Sequence, residues 1–292
     1  SLQTKHFGKH QECNTRCLID KVTRFEDEHK HPMNIDSMTA DDLRVFADFL
    51  SSDYDISMNT IVTNMTLMRT VCSWVRKQGV TNNDPFFGYD MPKALYGTPY
   101  FLTIQERDQV LDADLTDDAE LAEYRDMFVF QCMVGCRHSD LVTFTPKNII
   151  DGVLEYIPIK TKGKLGDVVR VPLIPKAMAI LDGHDHGDDE PIFPKHYNFK
   201  FNDAIRRILK RAKVNRVVTV INPKTRLEEK KPISDVATSH LARRTFIGNL
   251  YRMVKDPDLV ASMSGHAKGS VAFARYRVID DDMKKSLVEL IQ

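Results

Sequence analysis

From position 39 the apolar residues fall into a helical rhythm. Leu43, Phe46, Ala47 and Leu50 sit at i, i+3, i+4 and i+7, and Thr39 stands where the N-cap belongs. A second helix opens at Ser57. It turns Ile61, Leu67 or Met68, Val71 and Val75 inward, with Gly79 as its stop. Ahead of both, residues 1–30 are polar and only weakly periodic, and Pro32 ends that stretch. No strand pattern occurs in this part of the chain. The pattern predicts a small all-helical domain over residues 1–90.

Residues 80–101, VTNNDPFFGYDMPKALYGTPYF, are rich in Pro, Gly and Asn and read as a linker. Thr103 and Glu106 have capping-box spacing and open a second domain, residues 102–292. Its pattern is mixed. Residues 118–134 predict a helix. Residues 152–173, GVLEYIPIKTKGKLGDVVRVPL, read as two strands around a Lys/Gly-rich turn. Residues 196–213 predict a helix with a strongly basic face. Residues 217–221, followed by Asn222-Pro223-Lys224-Thr225, suggest a short hairpin, and the chain from Ser239 onward is mostly helical. The expected fold class is mainly α with small β-hairpins (α+β).

Composition changes this picture little. The 292 residues are 42% hydrophobic and 28% charged, ordinary for a soluble globular protein of two domains. No apolar run approaches the roughly 18 residues of a membrane span, and no secretory leader is visible. No membrane partner is expected. The chain opens on Ser1, not Met, and reads as a fragment or processed chain with sequence missing ahead of it. Five scattered cysteines (Cys13, Cys17, Cys72, Cys132, Cys136) argue against a disulfide framework and for a reducing cytoplasm.

Net charge is zero, with 41 basic and 41 acidic residues, unlike a simple basic nucleic-acid binder. The charges are segregated, however. Residues 112–126 carry seven acids and one base, and residues 195–216 carry eight bases and one acid. That allows one acidic and one basic face, although a charge run is usually only solvated surface.

Four segments could carry chemistry. In GCRHSDL, Gly135 to Leu141, Arg137 follows the end of an apolar helix, with Asp140 three residues on. Arginine is a planar fork of donors suited to phosphate. In SHLARRTFIGNLY, Ser239 looks like an N-cap, so His240 and Arg243 share one face of a first helical turn, where anions bind well. The turn near Lys160, Lys162 and Lys164 puts ammonium groups on a hairpin tip. In SGHAKGSVAFARYRVID, His266 precedes Tyr276, which stands between Arg275 and Arg277. Each alone has a plain reading: a surface ion pair, a structural histidine, a solubilising turn, a helix face. Metal sites are not expected. His6, His10, Cys13 and Cys17 would line one helix and could not surround a zinc ion. His184-Asp185-His186 reads as an acidic loop.

Taken together, these segments resemble the tyrosine recombinase (phage integrase) family of bacterial mobile elements. Its first-arginine box matches Gly135-Cys136-Arg137-His138-Ser139-Asp140-Leu141. Its His-x-x-Arg box matches His240 to Arg243, with Thr245-Phe246 following, and its Gly-His box matches Gly265-His266. Its hairpin lysine matches Lys160-Thr161 ahead of Val171-Pro172-Leu173, with Lys162 and Lys164 as alternatives, and its nucleophile matches Tyr276. The matches run in order over the catalytic half. The N-terminal helices match only in position and class, as a core-DNA-binding domain.

The resemblance implies DNA strand cleavage and rejoining through a 3′-phosphotyrosyl intermediate, with no cofactor, metal or ATP. Tyr276 would attack phosphorus while Arg137 and Arg243 hold the phosphate oxygens. Lys160 would protonate the leaving 5′-oxygen, His240 would help take the tyrosine proton, and His266 would donate to a phosphate oxygen. Asp140 would brace the site, and Arg244, Lys162 and Lys164 would touch DNA. Implied partners are double-stranded recombination sites and a homotetramer on DNA. Residues 280–292 would form the docking helix exchanged between its protomers. Accessory DNA-bending or excision factors and an arm-site-binding domain at the missing N-terminus belong to the same expectation. The alternatives are a catalytically silent DNA-binding protein of the same fold, a type IB topoisomerase and a metal-dependent nuclease.

Overall fold

The computed structural model describes residues 9–54, 56–161, 168–184, 187–254, 256–266 and 288. The chain divides into two compact units. One holds Ser1–Gly97 and the hairpin tip Ile221–Glu229, and the other Thr98–Val220 and Lys230–Gln292. Among the described residues no helix is long and apolar enough to cross a membrane.

The first unit is built on α1 (Lys9–His29), α2 (Ala40–Ser52) and α3 (Met58–Lys77). Thr39 and Asp42 close a reciprocal capping box on α2, and Ser57 caps α3. Leu43, Phe46, Phe49 and Leu50 of α2 meet Ile61, Met65 and Met68 of α3 in one apolar core. The weakly periodic opening stretch is helical because Leu18 and Phe25 reach that core. Residues 80–97 are pinned at a few points. Phe86 is buried, the Asn83 amide donates to the carbonyls of Ile35 and Met38, and Leu95 exchanges hydrogen bonds with the Asn59 side chain.

The second unit centres on α5 (Ala119–Val134), apolar on nearly all sides and packed most extensively against α10 (Ser239–Val254). Ahead of α5, the Thr103–Glu106 capping box starts α4 (Ile104–Leu111). After it come α6 (His138–Leu141) and an antiparallel sheet of β1 (Ile149–Ile150), β2 (Val153–Tyr156) and β3 (Val169–Pro172) in that order. Leu154 pairs with Val171 and Tyr156 with Val169, so alternate side chains enter the core. Next are α7 (Pro175–Asp182) and α8 (Asn198–Arg211), whose Phe201, Ala204, Ile205, Ile208 and Leu209 form a buried stripe. The hairpin β4 (Val217–Ile221) and β5 (Glu228–Pro232) leads through α9 (Ile233–Val236) to α10 and α11 (Pro257–Ser264). The architecture is mainly helical with small antiparallel sheets, as the sequence pattern predicts.

The charge runs do not make separate acidic and basic faces. They meet: Arg207 pairs with Asp118 at 2.7 Å and Arg211 with Asp117 at 2.5 Å. Further along, Arg216 reaches Glu106 at 2.6 Å and Lys210 reaches Asp235 at 2.8 Å. Much of the basic run is spent on folding contacts, because α8 lies alongside the acidic segment that leads into α5.

Candidate active site

Three backbone devices bring the motif residues together. The first is Gly135, which ends α5 in the left-handed conformation at φ 69°. A Cβ there would overlap the ring of Phe246, 2.7 Å from its Cγ. The close approach locks the first-arginine segment onto α10. The neighbouring Thr245 completes the lock: its hydroxyl accepts from Leu102 N at 3.0 Å and donates to Leu241 O at 2.8 Å. The Thr-Phe pair is thus the strut between α10, α5 and the segment entering α4.

The second device is Asp140. It is buried, and its Oδ1 accepts from Ile159 N at 2.9 Å, which pins the turn Ile159–Thr161 to α6. Lys160 therefore sits beside the first-arginine segment despite a gap of some twenty residues. The third is Gly265, the left-handed C-cap of α11, seated against Val169 and Pro158. It delivers His266 to the same sheet.

The result is a pocket of about 330 Å³ lined by Arg137, His138, Asn198, Ser239, His240 and Arg243, among others. Arg137 turns a buried Nη1 with no hydrogen-bond partner. Arg243 is almost wholly buried, and its Nη1 donates to Gly135 O at 2.6 Å. Its Nη2 lies 3.0 Å from His266 Nδ1, which Ser264 Oγ also approaches at 2.8 Å. Arginine can only donate, so the His266 nitrogen facing it is unprotonated. The electrostatics agree. Burial, then the charges of Arg243, Arg137 and Lys160, pull His266 down to about 3. His240 is also held below its ordinary value, first by burial and then by Arg244, Arg243 and Arg137. Both imidazoles are neutral near pH 7, in a field made by arginines and a lysine. Such a field favours a bound anion.

Five sequence candidates, Arg137, His240, Arg243, His266 and Lys160, are brought into this one neighbourhood, with Asp140 bracing it. Arg244 stacks its guanidinium 5.2 Å over the Tyr100 ring, while its charge still reaches His240. Tyr276, Lys162, Lys164 and the flanking Arg275 and Arg277 lie outside the described residues, as does the segment 280–292 apart from Val288. Ser239 is the first residue of α10, not its cap. Its hydroxyl turns to Asn198 Oδ1 at 3.3 Å, while its backbone N–H donates to Asn202. Sequence reasoning passed over Asn198, Ser239 and Gln131 as pocket walls, because only α8 crossing beneath α10 brings Asn198 there.

No group of three His, Cys, Asp or Glu that could hold a metal ion occurs among the described residues. Cys13 and Cys17 lie free and exposed along α1. His184 faces Asp126 at 3.5 Å and packs edge-on to Phe193, a folding contact.

Residues 100–283 match the model of the phage integrase family. The chain belongs to the phage integrase family. It is a tyrosine-type recombinase by that membership. No curated protein sequence matches it. Among solved structures, the Tn1549 transposon integrase in complex with a circular intermediate DNA is similar, with a TM-score of 0.72 at 16% identity. That match covers 98% of this chain and 95% of the other. A lambda integrase dimer bound to a COC′ core site gives 0.69 at 13% identity, over 95% and 92% of the two chains. The XerH site-specific recombinase bound to difH substrate gives 0.62 at 14%, over 94% and 78%. At such identities the likeness is one of fold.

Proposed function

We propose that this recombinase cleaves and rejoins double-stranded DNA at specific sites through a 3′-phosphotyrosyl bond to Tyr276, integrating or excising a mobile element. The observation that carries this is the anion-shaped pocket. Arg137, Arg243 and His240 line it, His266 lies against Arg243 with the Lys160 charge in reach, and a buried Arg137 nitrogen still has a donor to offer. A phosphodiester meets that need. Charge grows on its non-bridging oxygens as Tyr276 attacks, and the arginines stabilise it with charge-assisted bonds.

The protons balance within the site. The tyrosine proton passes toward neutral His240. Lys160 gives a proton to the departing 5′-oxygen and recovers one when that hydroxyl later attacks a partner strand. The bond energy stays in the phosphotyrosine, so neither ATP nor a metal takes part. Two further parts of the reading are a homotetramer joined through residues 280–292 and assisted by DNA-bending or excision factors, and a DNA-associated cytoplasmic location.

A leaving-group test isolates Lys160. DNA carrying a 5′-bridging sulfur at the cleavage position needs no acid, because a thiolate departs unaided. Lys160→Ala should cleave normal DNA about 10²–10⁴-fold more slowly than wild type, and sulfur-substituted DNA at nearly the wild-type rate. Equal defects on both substrates would remove Lys160 as the acid.

A further inference from the structure

His138 is the variable position of the first-arginine box, and nothing in the reaction above uses it. It borders the pocket beside Arg137, His240 and Arg243. Its ring stacks on the buried ring of Phe201, with centroids 5.0 Å apart and planes inclined by 28°. Its Nε2 is buried without a hydrogen-bond partner. A second imidazole stands behind it. His196 Nδ1 is 2.9 Å from the Tyr124 hydroxyl, and its own Nε2 is also buried without a partner. The Tyr124 ring packs against that imidazole at 4.3 Å between centroids, with the planes tilted by 45°. His138 therefore buries an unused nitrogen at the edge of the pocket, with a second such imidazole near it.

We propose that His138 is a further phosphate ligand of this recombinase, taking up one proton from solvent when a phosphate group enters. The proposal rests on the phosphate reading of the pocket. Cys136, Arg137, His240 and Arg243 line the pocket with His138, His196 is the group whose charge reaches its ring, and Asp140 lies two residues along its own segment. Burial, then His196, hold His138 below the ordinary histidine value. A bound anion works against that balance, because it favours the imidazolium. The proton comes from bulk water and no bond other than N–H is made. Anion binding then strengthens as pH falls.

Sulfate is the probe, since it keeps two negative charges across the range and any proton taken up belongs to the protein. The full chain, labelled with carbon-13 in its histidine rings, is titrated from pH 5 to 8 with and without sulfate and read by NMR. Single His→Gln variants assign the signals. Sulfate should move the His138 titration to higher pH, and sulfate affinity should rise by up to about tenfold per pH unit through that window. His138→Gln should flatten this slope while still binding sulfate through the arginines. His196→Gln should move the His138 titration upward even without sulfate, because it removes the positive neighbour. A His138 signal that ignores bound sulfate, or an unchanged slope in His138→Gln, would overturn the proposal. No sulfate binding in wild type, with the His240 and His266 signals unmoved, would overturn the phosphate reading and this proposal with it.

Discussion

Arg137 and Arg243 bring the same head group to one pocket and are held differently. Arg243 is an internal strut, bonded to Gly135 O and His266. Arg137 has a buried nitrogen with no partner at all. Arg137→Ala should leave the melting temperature almost unchanged while slowing DNA cleavage about 10²–10³-fold. Arg243→Ala should lose cleavage as severely and also destabilise the fold by about 1.5–3 kcal/mol, the worth of a charged hydrogen bond. Thermal melts alongside cleavage rates separate the two. His266 adds a pH signature. Its folded value lies near 3, well below the unfolded one. Between those values the unfolded chain binds the extra proton, so the contribution is intact above the ordinary histidine range and is lost as pH falls toward 3. Denaturant melts at pH 7 and pH 4.5 should show His266→Gln losing less stability on acidification than wild type, by roughly 1 kcal/mol once solvent screening is allowed for.

Among the elements, those with local signals were the legible ones. The N-cap at Thr39 and the capping box at Thr103 need only a few residues, and both are present as read, with Asp42 adding the reciprocal bond at Thr39. Ser239 had the same local look. Yet Asn202 takes its N–H and Asn198 its hydroxyl, partners some forty residues away that no window around Ser239 contains. β1 went unseen because two residues make no period. The charge runs were visible, but their mutual pairing depends on α8 lying beside the segment before α5. Thr245 shows what the motif letters hide. It reads as a polar residue mid-helix, and the structure makes it the acceptor for Leu102 N. Thr245→Val would leave that buried N–H unpaired. Chemical denaturation should show a loss of about 1–3 kcal/mol, with the cleavage rate falling only in step with the folded fraction. Gly135→Ala should cost at least about 1–2 kcal/mol from the left-handed backbone alone, with the overlap on Phe246 added.

For the whole molecule, zero net charge looked adverse to a DNA-acting protein. The second unit resolves this by pairing much of its basic run with acids and converging a few positive groups on one pocket. The exposed pairs, such as Arg207 with Asp118, should contribute no more than about 1 kcal/mol each, so Arg207→Ala is expected to melt close to wild type. DNA binding should still weaken steeply with salt, by about 10³–10⁵ between 50 and 200 mM if 6–10 phosphates are contacted. Filter binding across that range reads the slope. The claim at the centre is that this pocket serves a tyrosine nucleophile, and covalent trapping tests it most directly. Protein is incubated with nicked DNA from the ends of its parent element, in chelator and without ATP, then denatured in detergent, wild type beside Tyr276→Phe. The account predicts a protein–DNA adduct in wild type alone. An adduct in both, or none in wild type despite clear binding, would contradict it.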